Sequence, residues 1–242
     1  MNRRVTILGA RSDIAMACAH AFAAAGDDLT LCARQSETLA EAAQDLELRH
    51  GGSVTLRELD VLDVDPQAFA DDGDLPDVVI CAVGVLGDQL LDQDNAAAIR
   101  SVLRANFEAP AALLSAYATA MEDRGSGVIV GISSVAGDRG RATNYVYGSA
   151  KAGFTAFLSG MRNRLAKTGV HVITVKPGFV DTRMTEDMDL PGALTAQPAE
   201  VGAAVLKAVE RRQDVIYVRG VWRLIMGLIR LIPERIFKKL SL

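Results

Sequence analysis

The chain has 242 residues, half of them apolar and 23% charged, with a formal charge of −4. That composition supports a sizeable buried core and excludes a disordered chain, and the absence of a basic excess excludes nucleic acid as an expected partner. Cys18, Cys32 and Cys81 are separated and odd in number, and His20, His50 and His171 are isolated; reduced thiols in a cytoplasmic protein and no metal site are the expectation.

Taken in chain order, short β-branched runs alternate with longer Ala- and Leu-rich segments, the pattern of parallel strands joined by crossover helices. The opening "MNRRVTILGA" reads as a first strand, not an export signal. Strands are predicted near 4–9, 28–33, 53–60, 77–82, 127–133, 170–176 and 214–218, and helices near 12–26, 36–50, 93–123, 145–168 and 199–212. This amounts to a single α/β domain over residues 1–220, doubly wound and Rossmann-type with a seven-stranded parallel sheet, plus a basic amphipathic helix over 221–242. Runs such as "DVVICAV" and "GVIVGI" suit strands covered on both faces, and Gly26, Gly125 and Gly169 suit left-handed helix ends. Ligands of such a sheet bind beyond the carboxyl ends of its strands.

The chemistry-bearing residues fall at those ends. Tyr147 and Lys151, in "NYVYGSAKAGF", stand four residues apart on one helical face. An ammonium beside the phenol is expected to lower its pKa and make Tyr147 a proton donor or acceptor near neutrality. The strand "GVIVGISS" ends in Ser133 and Ser134, the latter thirteen residues before Tyr147; its hydroxyl could hold a substrate oxygen or satisfy its own turn.

With this Ser, Y-x-x-x-K and the upstream Asn106 in "LRANFEAP", the chain resembles the short-chain dehydrogenase/reductase family, compact single-domain type, from Val5 to about Val218. The resemblance implies hydride transfer between a nicotinamide and a carbonyl or carbinol carbon, with Tyr147 moving the proton and Ser134 orienting the substrate oxygen. Lys151 would hold the nicotinamide ribose, and Asn106 would help position a water leading to solvent. In "VKPGFVDTRM", Pro177, Gly178, Val180 and Thr182 would contact the nicotinamide end. Asp60 and Val61 match the positions that meet the adenine. A homodimer or homotetramer is implied as well.

The opening turn departs from the family's T-G-x-x-x-G-x-G. In "ILGARSDIA" the glycine Gly9 remains, while Leu8, Asp13 and Ala15 occupy three fixed positions. Asp13 is expected to cap the following helix and point away from the pyrophosphate, leaving N–H groups of Ser12 to Ile14 to bind it. The N-N-A-G element appears as "CAVG", Cys81 to Gly84, with Ala82 and Gly84 along the cofactor. At the end of the second strand Arg34 stands where a carboxylate would select NAD, and Arg11 is nearby; NADP(H) is favoured over NAD(H).

Two further features bear on substrate. Residues 219–242 hold six cations against Glu234, a net +5, so the rest of the chain carries −9. The apolar stretch is too short to span a bilayer; the tail suits either an anionic membrane surface at the inner face of the membrane or packing over the pocket or a partner subunit. Arg139 and Arg141 are candidates to hold a phosphate or carboxylate. Residues 182–198 form a candidate lid with Met184, Met188, Leu190 and Leu194 on its inner surface. The expected substrate is therefore a carbonyl or alcohol compound, small or lipid-linked and long-chain; the opening "LGARSDI" and the tail also resemble the branch of the family that reduces a polyprenyl-phosphate-linked keto-pentose, which implies that substrate among the options. The alternative function is a catalytically silent dinucleotide-binding regulator or scaffold.

Overall fold

The computed structural model describes residues 2–240. Its main sheet contains β1 (Arg4–Leu8), β2 (Asp28–Ala33), β3 (Val54–Glu58), β4 (Val78–Cys81), β5 (Gly127–Ile132), β6 (Val170–Pro177) and β9 (Val215–Val218). The strands run in the order β3-β2-β1-β4-β5-β6-β9, every neighbouring pair parallel. The order reverses between β1 and β4, and a crevice opens there at the carboxyl ends.

Successive strand residues face opposite layers. Ile7, Leu31 and Ile80 pack on one side with Phe22 of α1 (Asp13–Ala24), Leu46 of α2 (Ala40–His50) and Val205 of α8 (Pro198–Glu210). Leu8, Cys32, Val79 and Cys81 pack on the other with Phe69 of α3 (Pro66–Asp71), Tyr117 of α6 (Ala109–Arg124) and Phe154 of α7 (Tyr145–Leu165). Each fully buried large side chain contributes about 1.5–3 kcal/mol relative to exposure. All three cysteines are buried free thiols, pushed up to about 12, 12 and 11 at Cys18, Cys32 and Cys81 by that burial.

The helix predicted over 93–123 runs over 96–124, with a π turn inside it and a separate short helix before it. A short α4 (Gln89–Asp92) is capped by Asp88, and α5 (Ala96–Leu103) by Asn95, whose side chain accepts from the N–H groups of Ala97 and Ala98. A π turn over Arg104–Glu108 then leads into α6. Pro110 explains the widened ladder, because it has no N–H to give the carbonyl of Asn106 four residues back. Two strands went unpredicted: β7 (Phe179–Val180) and β8 (Thr195–Ala196) form a parallel ribbon at the ends of the long connection. The tail is two pieces, α9 (Val221–Leu231) and α10 (Glu234–Phe237), separated by Ile232 and Pro233. Residues 241 and 242 of the predicted tail lie outside the described residues.

Candidate active site

The crevice begins at the turn after β1. Gly9 takes φ +84°, and a Cβ there would meet Val83 N and Cγ2 at 3.0 Å, so the turn requires glycine. The N–H groups of Gly9 and Ala10 both donate to Cys32 O, at 2.9 and 3.0 Å, which holds the turn against β2. Ser12 is the N-cap of α1 and makes no side-chain cap bond. The capping role expected of Asp13 is corrected here. Its Oδ2 accepts from the Arg183 backbone N–H and its Oδ1 from Arg183 Nε, both at 2.9 Å, while Arg183 Nη2 also donates to Arg11 O at 2.5 Å. Arg183 outcompetes a cap because a guanidinium offers charge and two aligned donors, and it draws the Asp13 carboxyl below its usual range.

From this turn a groove runs along the strand ends, lined by Gly9, Arg11, Ser12, Asp13, Ile14, Arg34, Asp60, Val61, Ala82, Gly84 and Thr182. Arg34 and Arg11 both border it, with Arg11 Nη1 donating to Gln35 Oε1 at 3.3 Å. The loop after Arg34 is pinned by Glu58, whose two oxygens accept from the N–H groups of Gln35 and Ser36 at 2.9 and 2.8 Å. Asp60 Oδ1 accepts from Leu62 N–H at 3.0 Å.

Ser12, Ile14, Ala82, Gly84 and Thr182 also line a second cavity. There the structure brings together Ser134, Tyr147, Lys151, Pro177, Gly178 and Val180. Ser134 is extended at the end of β5; its Oγ accepts from Ala136 N–H at 3.0 Å and its hydroxyl also bonds the Tyr147 phenol. The serine satisfies its own turn and at the same time stands beside the tyrosine. Lys151 Nζ lies 5.7 Å from the Tyr147 ring centroid and donates to Ile132 O at 3.2 Å.

The expected lowering of the phenol by the lysine is not found. Burial pushes Tyr147 up to about 12, against a smaller opposing pull from Ser134, and pushes Lys151 down to about 8. Desolvation disfavours the charged form of each. Asn106 is completely buried and does not line the cavity: its Nδ2 donates to Val85 O and Val102 O at 2.8 and 2.9 Å, and its Oδ1 accepts from Val85 N–H at 3.2 Å. It lies directly behind Gly84, where a Cβ would meet Asn106 Oδ1 at 2.7 Å and Lys151 Nζ at 3.2 Å. Only a glycine leaves that wall open.

Several participants carried little sequence signal. Lys176, the penultimate residue of β6, is paired with Asp138, and Tyr217 O–H donates to the other Asp138 oxygen at 2.8 Å. The one available clue was a lysine at the end of a strand rich in valine and isoleucine, which needs a carboxylate partner when buried. Trp222 of α9 forms part of the cavity wall and donates from Nε1 to Leu194 O at 3.2 Å. Met184 and Met188 line the cavity as expected of a lid and Leu194 packs on Trp222, but Leu190 is not among the lining residues.

Arg139 does not serve the cavity. Its Nη1 donates to Ile229 O and Ile232 O at 2.8 and 2.6 Å, its Nη2 to Glu234 at 2.8 Å, and its guanidinium stacks 3.8 Å from the Phe237 ring centroid. It fastens the tail across the break at Pro233, because the helix end leaves carbonyls in need of donors. Arg141 remains in the cavity wall.

A crevice at the reversal of a parallel sheet, narrowed by Gly9 and Gly84 and leading to a half-buried Ser134 and Tyr147 over a buried Lys151, is the framework of a nicotinamide-dependent oxidoreductase. The family model for short chain dehydrogenases matches residues 3–191. An uncharacterized oxidoreductase of Mycobacterium tuberculosis is 36% identical over 242 residues, covering 98% of this chain and 96% of that protein. A short-chain dehydrogenase from Sphingobium yanoikuyae solved in complex with NADPH is 25% identical with a TM-score of 0.82, covering 96% of this chain and 97% of that one. A Beutenbergia cavernae chain solved with NADP at low occupancy is 26% identical with a TM-score of 0.80, covering 92% of this chain and 97% of that one. The chain belongs to the short-chain dehydrogenase family and is an oxidoreductase that uses a nicotinamide dinucleotide.

Proposed function

We propose that the protein is an NADPH-dependent carbonyl reductase for ketones with a long apolar or lipid-linked part. The observation that carries this reading is that Ser134, Tyr147 and Lys151 line one cavity continuous with the groove bearing Arg11 and Arg34. The dinucleotide supplies the hydride from its nicotinamide. Ser134 orients the substrate oxygen through its hydroxyl. Tyr147, held neutral by burial, delivers the proton from its phenol oxygen. Lys151 binds the ribose hydroxyls and returns the proton by way of Tyr147. Asn106 acts behind Gly84 as a positioning residue, fixing the wall against which Lys151 rests. The groove residues from Gly9 to Ile14, with Asp60, Val61, Ala82 and Gly84, hold the adenosine and pyrophosphate, and Pro177, Gly178, Val180 and Thr182 the nicotinamide end. Oxidation of NADPH against a panel of ketones of increasing chain length tests the reading; no turnover across the panel would sink it.

Preference for NADPH is assigned to Arg34 and Arg11, whose guanidinium groups suit a 2′-phosphate. Arg34→Glu is expected to raise the KM for NADPH by roughly 10- to 100-fold, in line with loss of a charge-assisted contact, while leaving NADH use within about threefold. Equal losses with both cofactors would remove Arg34 from cofactor choice.

The tail supports docking on an anionic bilayer. Trp222 and Met226 are buried against the body, whereas Leu224, Leu228 and Leu231 are 71%, 69% and 79% exposed along one stripe of α9. Arg223, Arg230, Arg235, Lys238 and Lys239 flank that stripe and its continuation. Two copies meeting through this surface would bring like charges together, while anionic lipid satisfies both the stripe and the cations. Among the described residues no helix is long and apolar enough to cross a membrane. The full chain is expected to co-sediment with vesicles containing phosphatidylglycerol but not with pure phosphatidylcholine, and Leu224→Glu/Leu228→Glu to abolish this. Dimerisation through the stripe with no vesicle binding would reassign the face to a second copy.

A further inference from the structure

The cavity beside Tyr147 has an imbalance of charge. Its lining includes the cations Arg141 and Lys151 and no aspartate or glutamate. Lys151 is accounted for by the proton path, but Arg141 is not.

Other partly buried arginines of the protein are matched with acids. Arg3 pairs with Asp27, Arg57 with Asp72, Arg139 with Glu234 and Arg162 with Asp214. Arg141 has no ion pair among the described residues, and its buried Nε has no hydrogen-bond partner. Burial draws its pKa below the ordinary value with no carboxylate opposing the shift. Asn144 Oδ1, on the same cavity wall three residues on, is also buried without a partner. A guanidinium stays charged at physiological pH, so desolvating it without an anion is unfavourable unless a ligand supplies one. Met184, Met188, Phe179 and Trp222 meanwhile give the cavity an apolar wall.

We propose that Arg141 is a substrate-binding residue that recognises an oxyanion, a carboxylate or a phosphate, carried by the substrate near its reacting carbonyl, while the apolar remainder lies against Met184, Met188 and Trp222. The inference rests on the carbonyl-reductase reading and adds the substrate's charge to it. A substrate hydroxyl beside the oxyanion would complete Asn144 Oδ1. Lys151 donates to Ile132 O and is assigned to the ribose and the proton path, so the two cations have separate tasks: one on the cofactor side and one on the substrate.

Trp222 is the only tryptophan in the chain and lies in this cavity, so its fluorescence reports occupancy without turnover. Octanoate, octyl phosphate and 1-octanol, titrated below their micellar concentrations into the NADP-bound protein, compare the two oxyanions with a neutral chain of equal length. Wild-type protein is expected to bind at least one oxyanion about 10²-fold more tightly than 1-octanol, as for a charge-assisted contact in a desolvated pocket. Arg141→Ala should abolish that preference and Arg141→Lys restore part of it. The ratio of octanoate to octyl phosphate affinity distinguishes a carboxylate from a phosphate substrate. Equal binding of all three probes by the wild type, or an oxyanion preference that survives in Arg141→Ala, overturns the proposal even if Arg141→Lys fails to fold. NADPH oxidation with 2-octanone and with 2-oxooctanoate is measured in parallel on the wild type: its absence with both counts against the reductase reading, whereas the fluorescence ratios decide the anion site by themselves.

Discussion

Tyr147→Phe is expected to lower kcat for ketone reduction by about 10²- to 10⁴-fold while leaving the Kd for NADPH within a few-fold, since the phenol contributes its proton and little of the cofactor grip. A rate within tenfold of the wild type would end the role given to Tyr147. The pH profile follows from the two shifted groups beside it. Tyr147 is pushed up to about 12 and stays protonated throughout the physiological range, so it sets no limb there. Lys151 is pushed down to about 8 and loses its charge as the pH rises through that value. The value of kcat/KM for reduction is therefore expected to be flat below about pH 7 and to fall above about pH 8. A profile rising through pH 8 would show that an ionised tyrosine, and not a charged lysine, is the required form.

Asp138→Ala is expected to destabilise the protein by about 3–5 kcal/mol, because it strands the Lys176 ammonium in the interior. Both side chains of this pair are almost wholly buried, at 3% and 8% exposure, and Tyr217 loses its acceptor at the same time. For a domain of this size the loss corresponds to a Tm lower by about 10 °C. The double replacement Asp138→Leu/Lys176→Met should recover most of it, since an apolar pair of similar volume avoids the desolvation of both charges. If Asp138→Ala melted within about 2 °C of the wild type, the pair would have to be solvated in solution. Lys176 precedes Pro177 and Gly178 in the cavity wall, so a loosened pair should also raise the KM for substrate.

What was legible in the sequence was what depends on neighbours along the chain. The apolar runs that became β4 and β5 announced strands covered on both faces, and the thirteen-residue and four-residue spacings around Tyr147 brought Ser134 and Lys151 to it. Long-range partners were not legible. Asp13 and Arg183 are 170 positions apart, and nothing local distinguishes their meeting from a helix cap. Arg139 and Arg141 looked alike in one loop, yet one clamps the tail and the other faces the cavity. The tyrosine's pKa went the other way for a similar reason: spacing reveals the lysine next to it but not how far the folded chain takes each group out of water. The helix expected over 93–123 differs on chemistry that was on view, a start set by the Asn95 cap and a π turn ahead of Pro110, which has no donor.

The clasp between Asp13 and Arg183 couples two boundaries that carry separate labels. Arg183 sits between Thr182 and Met184, both of which border groove and cavity alike. Gripped at one end by the first turn of the fold, the segment is a shared hinge pin: a change that frees Arg183 slackens the rim over the cofactor and the wall over the substrate in a single motion. High ionic strength, which weakens this exposed pair, would then be felt as a leak at both doors together.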